Sequence, residues 1–217
     1  MNPDDRDGYR ERYLARLKEY GHDPRSLGWS KGKQEERFTA LTSRVDLTRV
    51  GSVLDVGCGF GDLYAFLQEQ GFKGRYLGVD FIEELIDVGR KAYPAAEFAV
   101  GDIGELSDQG PFDLVVASGI FNGVLTHEDQ WAHIETTLQK MVTLASFACA
   151  ADFMSSWVDY RRDDTFYAEP ERVFGIAKSL SRRVVLLHDY LPFEFAVWLF
   201  HQDTVEEGAR FQGLSLV

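Results

Sequence analysis

The chain has 217 residues and a formal net charge of −12, from 35 acidic residues against 23 basic ones. That balance repels phosphate backbones and anionic membrane surfaces, which counts against nucleic acid and membrane as partners. The length suits one α/β domain with modest additions. Such a domain buries roughly 70% of its unfolded surface, so it needs no disulfide or structural metal. The two cysteines, Cys58 and Cys149, lie in apolar, strand-like surroundings. With no Cys-x-x-Cys pair or Cys/His cluster a zinc site is not expected, and the thiols fit a reducing cytosol. The polar, acidic start from Met1 to Asp5 is unlike a signal peptide, and no apolar run reaches membrane-spanning length. A cytoplasmic location is the expectation.

In chain order, Tyr9, Tyr13, Leu14, Leu17 and Tyr20 recur at helical spacing among Arg10, Arg12, Arg16 and Lys18. This predicts a short amphipathic helix from Tyr9 to Tyr20 with a solvated basic face. A loop at Gly21-His22-Asp23-Pro24 and the stretch Leu27 to Lys33 follow. A second helix is predicted over about 34–44, with Phe38 and Leu41 inward.

Val53-Leu54-Asp55-Val56 reads as a strand, Gly57, Gly59 and Gly61 as a hinge, and the residues to Gln70 as a helix ended by Gly71. Glycines turn where other residues cannot and let a ligand lie on the main chain. The helix start behind them offers free N–H donors that suit an anionic group. The dinucleotide fingerprint needs a third small residue, but counting from Gly57 that place falls on Asp62, and from Gly59 on Tyr64. A nicotinamide-dependent oxidoreductase is disfavoured accordingly.

Arg75 to Asp80 is a second strand, and its terminal Asp80 stands about 20 residues past the glycines, where an acid can accept both hydroxyls of a ribose. Ile82, Leu85, Ile86, Gly89 and Tyr93 form a helical stripe closed by Pro94. Glu97 to Val100 is a third strand, followed by Gly101-Asp102-Ile103. Phe112 to Ser118, almost wholly apolar, is a fourth strand covered on both faces. A helix is predicted from Glu128 to Leu144, a fifth strand from Ala145 to Phe153 and a helix from Pro170 to Leu180. Arg183 to Leu191 and Phe193 to Phe200 should pair antiparallel across Pro192. The tail from Asp203 has no clear period. Strands alternating with helices and closed by a hairpin give a doubly wound α/β sheet.

Asp55-x-Gly57-x-Gly59, Asp80, Gly101-Asp102 and Phe112-Asp113-Leu114-Val115-Val116, in that order, resemble the successive motifs of the class I S-adenosylmethionine-dependent methyltransferases. The resemblance covers residues 50 to 202. It implies seven strands in the order 3-2-1-4-5-7-6, helices on both faces and an antiparallel last strand. It divides the chain into an N-terminal helical lid, residues 1–45, and a methyltransferase domain, residues 46–217. Trp29 to Phe38, Ser118 to Asn122 and His188 to Pro192 further resemble a group of small bacterial methyltransferases.

The resemblance also implies roles around the cofactor S-adenosyl-L-methionine. Gly57, Cys58 and Gly59 pass under its amino-acid end and sulfonium, Asp80 holds the ribose, and Phe81 lies beside the adenine. Asp102 accepts from the adenine amino group, and the Ile103 N–H, just after Gly101, serves a ring nitrogen. Ser118 and Gly119 line the methionine part, Arg37 and Lys31 are candidates for its carboxylate, and Trp29 is a wall. Plainer readings stand beside these: Asp80 as a helix cap, Asp102 as a turn residue and Arg37 as an exposed helix cation.

Methyl transfer from a sulfonium is an in-line displacement, so positioning dominates and a base is needed only when the acceptor must lose a proton. His127 and His188 are the catalytic candidates, His127 alternatively a residue near a helix start and His188 a hydrogen-bonded structural histidine. Asn122, Trp157, Tyr160, Asp189 and Tyr190 also follow strand ends where an acceptor would sit. Ser118-Gly119-Ile120-Phe121-Asn122 is not the Asn-Pro-Pro-aromatic motif of exocyclic-amine methyltransferases, so adenine, cytosine and glutamine-amide acceptors lose support. Arg161-Arg162 and Arg182-Arg183 are two doublets that could meet near the substrate mouth; they read as solvated strand and loop ends, with one carboxylate or phosphate of a small anion as the other reading. The expected acceptor is an oxygen or nitrogen of a small-molecule metabolite; the other reading is a non-catalytic S-adenosylmethionine-binding regulator or partner.

Overall fold

The computed structural model describes residues 1–29, 33–106 and 109–202. Seven strands, β1 (Ser52–Val56), β2 (Arg75–Asp80), β3 (Glu97–Val100), β4 (Phe112–Ala117), β5 (Ala145–Met154), β6 (Arg183–Leu191) and β7 (Glu194–Phe200), build one sheet. Their order is β3-β2-β1-β4-β5-β7-β6, the order that the family resemblance implies. The pairings from β3 across to β5 are parallel, and β7 runs antiparallel to both β5 and β6. The helices are α1 (Pro3–Tyr20), α2 (Gln34–Thr42), α3 (Asp62–Glu69), α4 (Glu83–Ala92), α5 (Gln130–Leu144) and α6 (Pro170–Leu180).

Alternation along each strand sends neighbours to opposite faces. Val53, Leu114 and Val116 meet Phe38 and Leu41 of α2 and Leu63, Phe66 and Leu67 of α3 on one side. Leu54, Val115 and Cys149 meet Ile134, Leu138 and Met141 of α5 and Val173 and Ala177 of α6 on the other. Both faces of the central strands are therefore covered, which is why their sequences are nearly continuous apolar runs. Among the described residues, no helix is long and apolar enough to cross a membrane.

The amino-terminal segment differs from the sequence expectation in two ways. Helix α1 starts at Pro3 instead of Tyr9, because the Asn2 side chain accepts the Asp4 N–H at 2.9 Å, proline suits the first turn, and Asp4 and Asp5 favour the positive helix end. The two helices also part company. Helix α2 packs into the main core, fastened by the Trp198 indole N–H donating to the Ala40 carbonyl at 3.1 Å. Helix α1 and the turn Pro24–Leu27 instead lay Tyr13, Leu14, Leu17 and Leu27 over Phe60, Ile82 and Leu85, covering the carboxyl ends of β1 and β2.

Candidate active site

The chain winds from β1 outward through β2 to β3, then returns to place β4 on the other side of β1. Loops at this switch point diverge and leave a crevice beyond the strand ends. The crevice here forms a cleft at that place. Gly57, Cys58 and Gly59 enter it from β1, Asp80, Phe81 and Ile82 from β2, and Ser118, Gly119 and Ile120 from β4. Tyr9, Tyr13, Leu27 and Trp29 cover it.

The glycine turn is tied to β2, since the N–H groups of Gly57 and Cys58 both donate to the Val79 carbonyl, at 2.8 and 3.1 Å. Gly57 and Gly59 have φ of +69° and +56°. A Cβ at Gly57 would lie 2.3 Å from the Ile120 side chain, and one at Gly59 2.9 Å from Leu27, so both need glycine on conformation and on space. Asp80 fastens the same turn: its Oδ2 accepts the Gly59 N–H at 3.0 Å and its Oδ1 the Ile82 N–H at 2.9 Å. Burial pushes the Asp80 carboxyl up to about 6 despite these bonds. Asp55, also lining the cleft, takes the Tyr76 hydroxyl at 2.7 Å and is pushed by burial to about 7. Burial likewise raises the Cys58 thiol well above its ordinary value, so it is no nucleophile.

Gly57, Cys58, Gly59, Asp80, Phe81, Ser118, Gly119 and Trp29 therefore meet in one cleft. Other candidates do not join them. Gly101, Asp102 and Ile103 are not among the lining residues; Asp102 accepts from Arg6 of α1 at 2.7 Å and from the Gly104 N–H at 2.9 Å, and Ile103 is buried in the core. Arg37 is no exposed helix cation but is 6% exposed, ion-paired with Glu194 and stacked 4.0 Å from the Trp29 ring centroid. Lys31 lies outside the described residues.

Neither histidine lines the cleft. His127 faces α1: its Nδ1 is 3.2 Å from Asp5 Oδ1, and Asp5 also accepts the N–H groups of Thr126 and His127. His188 is exposed, its ring edge-on to Phe195 with centroids 5.8 Å apart. Asn122 stitches loops together, taking the Met154 N–H on its side chain and the Phe166 N–H on its carbonyl. Trp157 and Tyr160 are exposed. The arginine doublets lie at opposite ends of the sheet. Arg183 pairs with Phe200, which faces Ala148 near the start of β5, whereas Arg161 and Arg162 follow the end of β5.

The structure adds residues that motif reading passed over. Gln34 and Phe38 line the cleft from α2. Asp152 is buried behind Ser118 and Gly119, where the Arg37 Nε and Tyr190 hydroxyl are also buried without a hydrogen-bond partner among the described residues. The one available signal for Asp152 was a lone acid in the apolar run from Ala145 to Met154.

A family model described as a methyltransferase domain matches residues 53–143. A Mycobacterium tuberculosis protein provisionally named a methyltransferase is 35% identical over 151 residues, spanning 67% of this chain and 90% of that protein. Trans-aconitate 2-methyltransferase of Azoarcus sp. is 32% identical over 87 residues, and the match spans only 34% of that enzyme's length. Magnesium protoporphyrin IX methyltransferase from Synechocystis, solved with its bound cofactor, shares the fold with a TM-score of 0.65 at 15% identity, over 93% of this chain and 100% of that one. A TehB-like methyltransferase from Corynebacterium glutamicum does so with a TM-score of 0.55 at 22% identity, over 92% of this chain and 100% of that one. With the strand order, the glycine turn of β1 and a relative matched over nine-tenths of its length, the chain belongs to the class I S-adenosylmethionine-dependent methyltransferases.

Proposed function

We propose that the cleft binds S-adenosylmethionine and that the enzyme transfers its methyl group to an oxygen or nitrogen of a small-molecule acceptor. The observation that carries this reading is the glycine turn at Gly57–Gly59, crowded so that no Cβ fits, held by the buried carboxylate of Asp80 at the end of the next strand. The donor set fits the cofactor. Each Asp80 oxygen keeps a free lone pair beside its main-chain bond, as acceptors of a ribose diol need. When bound, the cofactor supplies an electrophilic methyl group on sulfur.

The chain's own residues orient and desolvate. Gly57 and Gly59 leave room for Ile120 and Leu27 to pack against the turn, Ser118 and Gly119 line the cleft from β4, and Tyr9, Tyr13, Leu27 and Trp29 cover it against water. His127 and His188 stand outside the cleft lining, so neither carries a proton there. Within the division into residues 1–45 and 46–217, α1 and the Pro24–Leu27 turn act as the cover. Support for a small acceptor comes from the covered cleft, the acidic chain and a relative named for trans-aconitate. A cytoplasmic setting belongs to the same proposal, supported by two buried free cysteines.

Titration calorimetry tests the cofactor. S-Adenosylmethionine and S-adenosylhomocysteine are expected to bind, with NAD and ATP far weaker; preference for either of the latter overturns the reading.

A further inference from the structure

Asp152 stands near the end of β5 with Ala150, Ala151 and Phe153 around it in sequence, all buried, and is itself 1% exposed. A carboxylate in such a place carries a desolvation cost that an apolar side chain avoids. Both of its oxygens are engaged by one short turn. Oδ2 accepts the Ser118 hydroxyl at 2.8 Å, and Oδ1 accepts the Gly119 N–H at 2.6 Å. These two residues follow β4 and line the cleft.

The turn also seats the cover. Gly119 has φ of +74°, and a Cβ there would lie 2.4 Å from the Trp29 ring. That ring also lies against the Arg37 guanidinium, which is paired with Glu194 at the start of β7. Glu194 stands opposite Met154 in the β5–β7 register, two residues from Asp152. Burial raises the Asp152 carboxyl to about 6, while the nearby Arg37 charge lowers it.

We propose that Asp152 is a positioning residue for methyl transfer, fixing the Ser118–Gly119 turn and with it the seat of Trp29 at the end of the cleft away from Asp80. The inference rests on the cofactor reading above. Strands β2, β1 and β4 are successive neighbours, so Asp80 and this turn stand two strand spacings apart, about 10 Å. A ligand whose sugar meets Asp80 reaches the turn with its amino-acid end. Asp152 thus acts on the part of the cofactor next to the reacting methyl, without touching it.

The test compares two ligands on the full chain by calorimetry: S-adenosylhomocysteine, and 5′-methylthioadenosine, which lacks the amino-acid part. Asp152→Ala is expected to weaken the first about tenfold or more, the effect of losing a charge-assisted hydrogen-bond pair, and to leave the second within about twofold. Asp152→Asn can still accept the Gly119 N–H and donate to the Ser118 oxygen, so it should restore most of the loss. Where Asp152→Ala does not fold, Ser118→Ala carries the same comparison with a split of about threefold. Equal weakening of both ligands marks a purely structural carboxylate and overturns the proposal, as does unchanged S-adenosylhomocysteine affinity in a folded Asp152→Ala protein. A wild-type protein that binds neither ligand overturns the cofactor reading itself.

Discussion

The Asp80 carboxylate accepts main-chain N–H groups from both Gly59 and Ile82, joining the glycine turn to the end of β2, and it lines the cleft beside Asp55. Burial holds these two carboxyls near 6 and 7, above the ordinary 3.8. The fold therefore favours their protonated forms. Their contribution to stability is complete below 3.8 and is lost as pH rises through about 6 and 7. Ligand hydroxyls and positive charge favour the carboxylates instead, so cofactor binding should release protons in that window. At pH 6 the calorimetric enthalpy of S-adenosylhomocysteine binding is expected to vary with the ionisation heat of the buffer, and at pH 8 to lose that dependence. Asp80→Ala should reduce the release and weaken binding by about 1–3 kcal/mol, the worth of a charged acceptor. A buffer-independent enthalpy at pH 6 contradicts the proposed contact.

At the scale of elements, the cover is held by shape at its inner edge. The Trp29 ring occupies the space where Gly119 lacks a side chain, and Leu27 does the same over Gly59. Gly119→Ala forces the ring outward or strains a left-handed backbone, so it should loosen α1 and weaken S-adenosylhomocysteine about tenfold. Amide exchange across α1 is expected to quicken. Gly8→Ala, where a Cβ meets nothing within 4 Å, is the control and should not quicken it. Wild-type exchange and affinity in Gly119→Ala would mean that Trp29 does not seat the cover.

These elements also mark where the sequence was readable. Strands β1, β2 and β4 stood out because burial on both faces leaves an apolar run, and Asp80 because it ends one of them. The partners of α1 did not stand out. Arg6 meets Asp102 across 96 positions and Asp5 meets Thr126 across 121, and no local pattern encodes such pairs. The reading of Arg37 as a surface cation fails because its partner Glu194 lies 157 positions away in sequence. Helix α2 has Phe38 and Leu41 on its inner stripe, and Arg37 beside them is drawn in by that distant carboxylate.

Taken as a whole molecule, the enzyme carries a charge distribution that bears on its acceptor. A protein that grips nucleic acid must neutralise several phosphates with clustered Lys and Arg. Here 23 basic residues face 35 acidic ones, and several described basic residues around the strand ends are engaged by partners within the protein. Arg162 pairs with Asp164 at 2.9 Å, Arg161 donates to the Ser156 carbonyl, Arg6 pairs with Asp102 and Arg37 with Glu194. With Arg182 and Arg183 at the other end of the sheet, the two doublets do not combine into a phosphate-binding track. The cleft itself is covered by Tyr9, Tyr13, Leu27 and Trp29, a geometry that admits a compact molecule and encloses it. We therefore expect labelled methyl groups to appear in low-molecular-weight material when the protein is incubated with radiolabelled S-adenosylmethionine and a size-fractionated cell extract. The transfer should vary little with salt between about 50 and 200 mM, the range over which phosphate-dependent binding falls steeply. Label confined to RNA, DNA or lipid, with none in the small-molecule fraction, would refute the proposed acceptor class while leaving the cofactor assignment intact.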